Sequence, residues 1–168
     1  MGIAIYPGSF DPITFGHIDI AQRASSIFSR VIAVVAVNPG KNPIFSVEER
    51  IDMARHSLGA VPNIEIISYD GLIVNCLKEY GASVIIRGLR ALTDFEYEFQ
   101  MAYTNRQLSA VAETVFLMPS ARYTYLTSSL VRQIARLKGD ISSFAPEYVC
   151  EKVNRKLDTA SIAPPEAQ

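Results

Sequence analysis

The sequence predicts a doubly wound α/β domain, a Rossmann-like parallel sheet of five strands with helices on both faces. Five short runs rich in β-branched residues recur along the chain, and a segment with helical apolar spacing follows each run. The runs are almost continuously apolar, which is typical of parallel strands that are covered on both faces. Because 168 residues with 49% hydrophobic content can build one core, we expect a single domain.

The five predicted strands are Ile3–Tyr6, Val31–Val37, Ile64–Ile67, Val84–Ile86 and Thr114–Leu117. Two of the helices between them carry a capping-box pattern at the start. Ser46 pairs with Glu49, and Thr93 pairs with Glu96, at the spacing that lets the hydroxyl and the carboxylate accept hydrogen bonds from free backbone N–H groups. These pairs predict helices that begin just after Ser46 and just after Thr93.

The second half of the chain predicts one more capped helix and then a tail. Thr127–Ser129 offers N-capping hydroxyls for a helix that Gly139 is placed to end. In the aromatic-rich segment further upstream, we expect Phe95 and Phe99 to pack in the core. Residues 158–168 show no periodicity, so we assign residues 1–157 to the domain and 158–168 to a flexible C-terminal tail.

Charge and hydropathy exclude several classes of function. The balance of 16 Lys and Arg against 17 Asp and Glu argues against binding to nucleic acid or to an anionic membrane surface. No apolar run approaches the roughly 20 residues that cross a bilayer, and no export signal follows Met1, so we expect a cytoplasmic protein. Cys76 and Cys150 have no spacing typical of a metal site or redox motif and are predicted to be reduced thiols.

The connection after the first strand, residues 7–17, is the leading candidate for a binding site. Ligands of doubly wound sheets bind beyond the carboxyl ends of the strands, where the strand order reverses. Gly8 and Gly16 allow close backbone approach, and His17 falls where the first helix begins, so its ring and the helix N–H groups can meet one anion. The sequence has neither a Gly-x-Gly-x-x-Gly fingerprint here nor a P-loop, which disfavours ordinary NAD-binding and Walker-type proteins.

Three further connections carry groups suited to phosphate. Lys41 follows the second strand, although a single lysine is more typical of a solvated surface. Arg87 and Arg90 leave the end of the fourth strand, where guanidinium groups suit bidentate phosphate recognition and surface salt bridges are the alternative. Thr127–Ser129 follows the fifth strand and places hydroxyls and N–H groups at a helix start. Four such elements at successive strand ends predict a phosphate-binding site.

Five motifs closely resemble those of the bacterial phosphopantetheine adenylyltransferases, in order along residues 3–157. They are Tyr6–Pro12, Thr14–His17, Ile86–Arg90, Asp94–Glu98 and Thr127–Arg132. The Thr-x-Gly-His motif alone would indicate only the wider nucleotidyltransferase superfamily. The resemblance implies an enzyme of coenzyme A biosynthesis that moves AMP from ATP to 4′-phosphopantetheine, giving dephospho-coenzyme A and pyrophosphate.

The family pattern also implies a role for individual residues. The residues expected to take part in catalysis are His17, Lys41 and Arg90. The residues expected to bind ATP are Ser9, Phe10, His17, Gly88, Leu89, Arg90, Glu98, Tyr123, Thr124, Tyr125, Leu126, Thr127, Ser128 and Ser129. The residues expected to bind phosphopantetheine are Ser9, Lys41, Ile73 and Arg87.

Cofactor and assembly are likewise implied by the resemblance. It implies Mg²⁺ delivered with ATP, with no metal ligand from the protein, together with a homohexamer and feedback binding of coenzyme A. Phe15 stands where family members often have Asn, and Thr127 where they often have Ser. Both departures lie in binding loops, so they bear on local nucleotide contacts more than on the type of reaction.

The residue inventory is consistent with direct transfer to an ionised phosphomonoester. The second pKa of such a group is about 6, so no general base is required. His17 would add an alkaline limb to the pH profile if its protonated form, with an ordinary pKa of about 6.5, were the donor. Two alternatives stay open: a sibling nucleotidyltransferase that uses CTP or acts on nicotinate mononucleotide, and a non-catalytic nucleotide-binding module.

Overall fold

The computed structural model describes residues 2–37, 42–90 and 92–162 and contains a five-stranded sheet. The strands are β1 (Ile3–Gly8), β2 (Arg30–Val37), β3 (Ile64–Asp70), β4 (Val84–Gly88) and β5 (Glu113–Leu117). Their order across the sheet is β3-β2-β1-β4-β5, and every neighbouring pair is parallel. Each contains one predicted strand, so the prediction of a five-stranded parallel sheet is confirmed.

In the part of the chain that the structure describes, six helices cover the two faces of this sheet. They are α1 (Phe15–Ile27), α2 (Val47–Leu58), α3 (Ile73–Glu79), α4 (Leu92–Leu108), α5 (Ser128–Arg136) and α6 (Glu147–Ile162), with a 3₁₀ turn at Ala121–Tyr123. Alternate side chains of β1 enter separate cores: Ala4 and Tyr6 pack with residues of α1, α2, α5 and α6, whereas Ile5 packs with residues of α3. Helices therefore lie on both faces, as the doubly wound fold requires.

The capping predictions are partly confirmed. At the start of α2 the Ser46 N–H donates to Glu49 Oε2 at 2.7 Å, and the Glu49 N–H donates to Ser46 Oγ at 3.3 Å. At the start of α5 Thr127 Oγ1 accepts from the Leu130 N–H at 2.9 Å. The predicted cap at Thr93 is wrong in position, because α4 already begins at Leu92; the Thr93 side chain lies outside the described part of the chain.

The end of α5 differs from the prediction in which residue turns the chain. Lys138 adopts the left-handed backbone conformation, with φ of 59°, that Gly139 was expected to take. Gly139 is required for close packing instead, since a Cβ there would lie 2.7 Å from Ile134 Cγ2. Helix α6 continues to Ile162, past the predicted start of the tail at residue 158, and residues 163–168 lie outside the described residues.

Helix α4 departs from the expectation that its aromatic residues pack in the core. Phe95 is 40% exposed and Phe99 is 44% exposed. Tyr97 and Tyr103 are exposed to a still greater extent. The residues of α4 that are buried include the polar Glu98 and Asn105, so the helix turns part of its polar face inward and leaves an aromatic face uncovered.

The two cysteines agree with the prediction of reduced thiols. Cys76 is buried, Cys150 is half-buried, and both are free thiols. Burial raises the pKa of Cys76 to about 11. Within residues 2–37, 42–90 and 92–162, no helix combines the length and the apolar character needed to span a membrane.

Candidate active site

The candidate site lies at the carboxyl ends of β1 and β4, the neighbouring strands at which the chain order of the sheet reverses. From β1 the chain builds outward through β2 to β3, and β4 and β5 lie on the opposite side. The connections that follow β1 and β4 therefore diverge and leave a crevice between them. Residues 9–14 form the connection after β1, and His17 lies in the first turn of α1. Arg87 and Gly88 end β4, and Leu89 and Arg90 follow it.

His17 occupies the first turn of α1, where its ring is oriented by the residue that caps the helix. The Thr14 N–H donates to His17 Nδ1 at 3.1 Å, and Thr14 Oγ1 lies 3.0 Å from the same nitrogen. Because Nδ1 accepts this backbone hydrogen bond, the neutral ring carries its proton on Nε2. His17 is thus part of a helix cap, and this contact fixes the tautomer in which Nε2 is the donor.

The charge state of His17 differs from that of an exposed histidine. Burial and the guanidinium groups of Arg90 and Arg87 lower its pKa from 6.5 to about 4. The ring is therefore neutral at pH 7, and its Nε2–H is the group available to a phosphate oxygen. The lowered pKa therefore predicts that the pH profile has no alkaline limb from a protonated His17.

Close packing around Phe10 supports the His17 ring. Phe10 is buried, has a left-handed φ of 48°, and packs edge-on against His17 with ring centroids 5.2 Å apart. A Cβ at Gly8 would lie 2.8 Å from Phe10 Cζ. At Gly16 a Cβ would meet Thr14 Oγ1 at 3.6 Å and other atoms no closer. Gly8 is thus required by the protein's own packing, whereas Gly16 leaves space at the start of α1.

Arg87 and Glu98 are brought together as a bidentate ion pair. Arg87 Nε and Nη2 donate to the two Glu98 carboxylate oxygens at 2.7 and 2.5 Å, and Nη1 donates to the Pro7 carbonyl at 2.9 Å. The family pattern implied that Arg87 binds phosphopantetheine and that Glu98 binds ATP, and it did not predict this ion pair. Any phosphate that binds Arg87 must use its remaining N–H hydrogens or compete with Glu98, and the assigned phosphate contact stays a prediction.

Arg90 connects the end of β4 to the segment that precedes α5. Its Nη1 donates to the Leu126 carbonyl at 3.2 Å, and the neighbouring Leu89 N–H donates to the Leu117 carbonyl at 3.0 Å. Tyr123 in the same segment stacks on Phe15, with ring centroids 6.0 Å apart. The Arg90 hydrogen bond places the segment after β4 beside Leu126, so two of the predicted ATP-binding stretches meet at this point.

The hydroxyl groups at the start of α5 already have protein partners. Thr127 Oγ1 caps the helix and lies 2.9 Å from Ser129 Oγ. Ser128 Oγ donates to the Pro12 carbonyl at 2.8 Å, which ties α5 to the connection after β1. The Thr124 hydroxyl donates to the Ala121 carbonyl at 2.9 Å, whereas the Tyr125 side chain is exposed.

The predicted phosphopantetheine residues are only partly brought together. Ser9 is half-buried in the connection after β1, and Ile73 is half-buried at the start of α3, which follows the carboxyl end of β3. Lys41 lies outside the described residues. The binding roles assigned to all of these side chains stay predictions.

Carboxylates near the site are committed to the protein itself. Both oxygens of Asp11 accept backbone N–H groups, and both oxygens of Glu98 contact Arg87. Among the residues that the structure describes, no cluster of three or more His, Cys, Asp or Glu side chains is placed to hold a metal ion.

Comparison with known proteins identifies the family. A cytidylyltransferase-like family model matches residues 5–134. The chain is 54% identical over 154 residues to a phosphopantetheine adenylyltransferase from Dictyoglomus turgidum, covering 92% of this chain and 96% of that protein. The chain belongs to the phosphopantetheine adenylyltransferase family. A phosphopantetheine adenylyltransferase from Alkaliphilus metalliredigens is 52% identical over 156 residues, 93% of this chain and 99% of that protein.

A solved structure supports the fold of this adenylyltransferase chain. It is that of a candidate nicotinate-nucleotide adenylyltransferase from Vibrio parahaemolyticus, with a TM-score of 0.66 at 17% sequence identity. The match covers 94% of this chain and 95% of the other. At this level of identity the similarity establishes the Rossmann-like architecture alone.

Sequence reasoning missed two buried charged residues of this adenylyltransferase fold. Arg50 donates from Nη1 to the Ser9 carbonyl at 2.8 Å and to the Ala36 carbonyl at 3.1 Å. Asp11 accepts from the backbone of residues 44 and 45. One signal was available for Arg50, which stands at helical spacing from the buried Met53 and Ala54, where an apolar residue would be ordinary.

Proposed function

We propose that this phosphopantetheine adenylyltransferase transfers the adenylyl group in one direct step at the crevice between β1 and β4. The chain is an enzyme of coenzyme A biosynthesis that moves AMP from ATP to 4′-phosphopantetheine, with dephospho-coenzyme A and pyrophosphate as products. The observation that carries the mechanism is the orientation of the His17 ring, whose Nδ1 accepts the Thr14 N–H and so leaves the ring proton on Nε2.

The acceptor substrate supplies its own nucleophile. An ionised phosphate oxygen of 4′-phosphopantetheine attacks the α-phosphorus of ATP and forms the new P–O bond. The bond between the α-phosphorus and the oxygen that bridges to the β-phosphate breaks, and its electron pair leaves with pyrophosphate. Because the phosphomonoester has a second pKa of about 6 and is mostly ionised at neutral pH, no protein side chain has to remove a proton.

The protein's contribution in this proposal is alignment and charge stabilisation. His17 Nε2–H donates to a non-bridging oxygen of the α-phosphate, where charge develops during in-line attack. Arg90 stabilises the phosphates of the nucleotide together with the N–H groups at the start of α5. Lys41 and Arg87 bind the phosphate of phosphopantetheine, and Ile73 borders its pantetheine arm.

Magnesium fits this scheme as part of the ATP substrate. Mg²⁺ usually retains several waters and binds through substrate phosphates with few protein carboxylates. This matches a site in which Asp11 and Glu98 are already paired with protein donors. When bound with ATP, the ion neutralises charge on the triphosphate.

Self-association is the second part of the proposal. The aromatic face of α4, formed by Phe95, Tyr97, Phe99 and Tyr103, is an apolar patch of the kind that marks a protein interface. We propose that it packs against a second copy within a homohexamer. Sedimentation at micromolar concentration tests this: Tyr97→Glu dissociates the assembly, whereas Leu137→Glu at the exposed end of α5 leaves it intact. A wild-type monomer contradicts the hexamer.

Two smaller elements complete the proposal. Coenzyme A contains the adenylyl-phosphopantetheine framework of the product, so we expect it to bind the same crevice and to compete with both substrates. We expect the reaction to take place in the cytoplasm.

Release of pyrophosphate tests the proposed reaction. The purified chain with Mg²⁺ and ATP releases pyrophosphate only when 4′-phosphopantetheine is added. CTP in place of ATP, and nicotinate mononucleotide in place of phosphopantetheine, are the controls for the sibling enzymes. Activity with either control that exceeds activity with the proposed pair contradicts the substrate assignment. A covalent adenylyl-enzyme trapped with labelled ATP alone contradicts direct transfer, because it requires a protein nucleophile.

A further inference from the structure

Asp11 lies in the connection between β1 and α1, where its side chain is almost completely buried. It is 4% exposed, and a buried carboxylate is retained only when its oxygens have strong partners. Oδ2 accepts from the Ile44 N–H at 3.1 Å, and Oδ1 accepts from the Phe45 N–H at 3.0 Å. The carboxylate therefore joins the β1–α1 connection to the β2–α2 connection, two segments that are 33 and 34 positions apart.

A third segment reaches the same residue. Arg132 on α5 donates from Nη1 to the Asp11 carbonyl, and the same nitrogen lies 3.2 Å from Asp11 Oδ2. The cation compensates the buried negative charge and makes these hydrogen bonds charge-assisted. Asp11 is thus the point at which three connections at the carboxyl edge of the sheet are held together.

Each of these segments carries predicted substrate contacts next to the residue that meets Asp11. Phe10 directly precedes Asp11, Lys41 precedes Ile44 by three positions, and Thr127–Ser129 precedes Arg132 in the first turn of α5. The Asp11 carboxylate is itself turned toward backbone N–H groups. Its effect on the reaction is therefore transmitted through the segments it joins.

We propose that Asp11 is a positioning residue for adenylyl transfer, whose buried carboxylate holds the segment that follows Lys41 against the loop that faces the nucleotide phosphates. The inference rests on the proposed function of the crevice. Direct transfer needs the acceptor phosphate within bonding reach of the α-phosphorus, and a displacement of about 1 Å can cost about 10²-fold in rate.

The other contacts of the β1–α1 connection give this proposal a selective consequence. Arg50 holds the Ser9 carbonyl at 2.8 Å, and Ser128 holds the Pro12 carbonyl at 2.8 Å, both independently of the Asp11 carboxylate. Loss of that carboxylate therefore releases the segment at Ile44, while the nucleotide-facing loop keeps its hydrogen bonds to Arg50 and Ser128. Binding of phosphopantetheine should suffer more than binding of ATP.

Asp11→Asn is the test. The amide keeps an oxygen for one of the two N–H groups and presents its own NH₂ to the other, so one contact becomes donor against donor. We expect KM for 4′-phosphopantetheine to rise about tenfold, kcat to fall about tenfold, and KM for ATP to change less than about threefold. The measurements are made at a temperature at which circular dichroism shows the variant to be fully folded.

Gly139→Ala is the matched control, because its new Cβ meets Ile134 and none of the Asp11 contacts. It lowers Tm and leaves both KM values unchanged. Asp11→Asn with that same pattern, or with equal increases in both KM values, overturns the proposal. If Asp11→Asn does not fold, Arg132→Met takes its place in the test. We expect Arg132→Met to raise KM for phosphopantetheine at least about threefold, and unchanged kinetics of this variant overturn the proposal. Wild-type chain without phosphopantetheine-dependent pyrophosphate release overturns the proposed function as well, whereas unchanged variants of an active wild type overturn this inference alone.

Discussion

Replacement of His17 by Asn separates the two roles that the structure gives this residue. The Asn amide oxygen takes the place of Nδ1, so it can still accept the Thr14 N–H that His17 accepts at 3.1 Å. Asn is too short to place a donor where Nε2–H lies. The variant therefore keeps the cap of α1 and loses the proposed donor to the α-phosphate.

The expected magnitudes follow from these two contacts. Removal of one preorganised donor to a transition-state oxyanion costs about 2.7 to 4 kcal/mol, which corresponds to a fall of about 10² to 10³ in kcat. Because the cap survives in His17→Asn, its free energy of unfolding should stay within about 1 kcal/mol of wild type. His17→Ala loses the same donor and also leaves the N–H of the buried Thr14 without an acceptor, which costs about 1 to 3 kcal/mol of stability.

The assay combines kinetics with unfolding. Pyrophosphate release at saturating substrates gives kcat, direct titration gives the Kd for ATP, and urea denaturation gives the free energy of unfolding. We expect equal losses of kcat in the two variants, a Kd for ATP close to wild type in both, and a loss of stability in His17→Ala alone. A kcat for His17→Asn within tenfold of wild type would refute the role of Nε2–H as the transition-state donor.

Three further predictions use other contacts. Burial and nearby guanidinium groups lower the pKa of His17 to about 4, so kcat/KM for phosphopantetheine should rise through about pH 6 as the substrate phosphate ionises and show no alkaline limb from His17. The free energy of unfolding should fall as the pH drops from 6.5 toward 4, because His17 in the unfolded chain takes up a proton before His17 in the folded chain does. Arg87→Lys should raise KM for phosphopantetheine about tenfold with ATP saturating, since an ammonium cannot keep its contacts to Glu98 and also offer the substrate phosphate a planar two-pronged contact; an unchanged KM contradicts this. Gly139→Ala should cost about 1 to 3 kcal/mol in urea unfolding through overlap with Ile134, with kcat unchanged.

The sequence alone was enough for the architecture, and it indicated a candidate site whose role stays a prediction. Strands covered on both faces must be apolar along their whole length, so runs such as Val31–Val37 are visible without any knowledge of their neighbours. The cap at Ser46 is equally local, because its partner Glu49 is three residues away. Parallel strands bring their carboxyl ends to one edge, so the connection that ends at His17 and the one that begins after Arg87 could be assigned to a common crevice.

Tertiary structure decided how the charged side chains of that crevice are used. The sequence gives no sign that Arg87 and Glu98 contact each other, and each could be assigned to a substrate. The fold places α4 so that the two residues form an ion pair. The proton of His17 lies on Nε2 because Nδ1 accepts the Thr14 N–H, and the ring is neutral because burial and two guanidinium groups disfavour the imidazolium form. The sequence does not distinguish Asp11 from any other acidic residue in a loop, because its partners are backbone groups more than 30 positions away. Every residue type except proline has the same backbone N–H group, so no pattern of side chains in the sequence predicts such a contact.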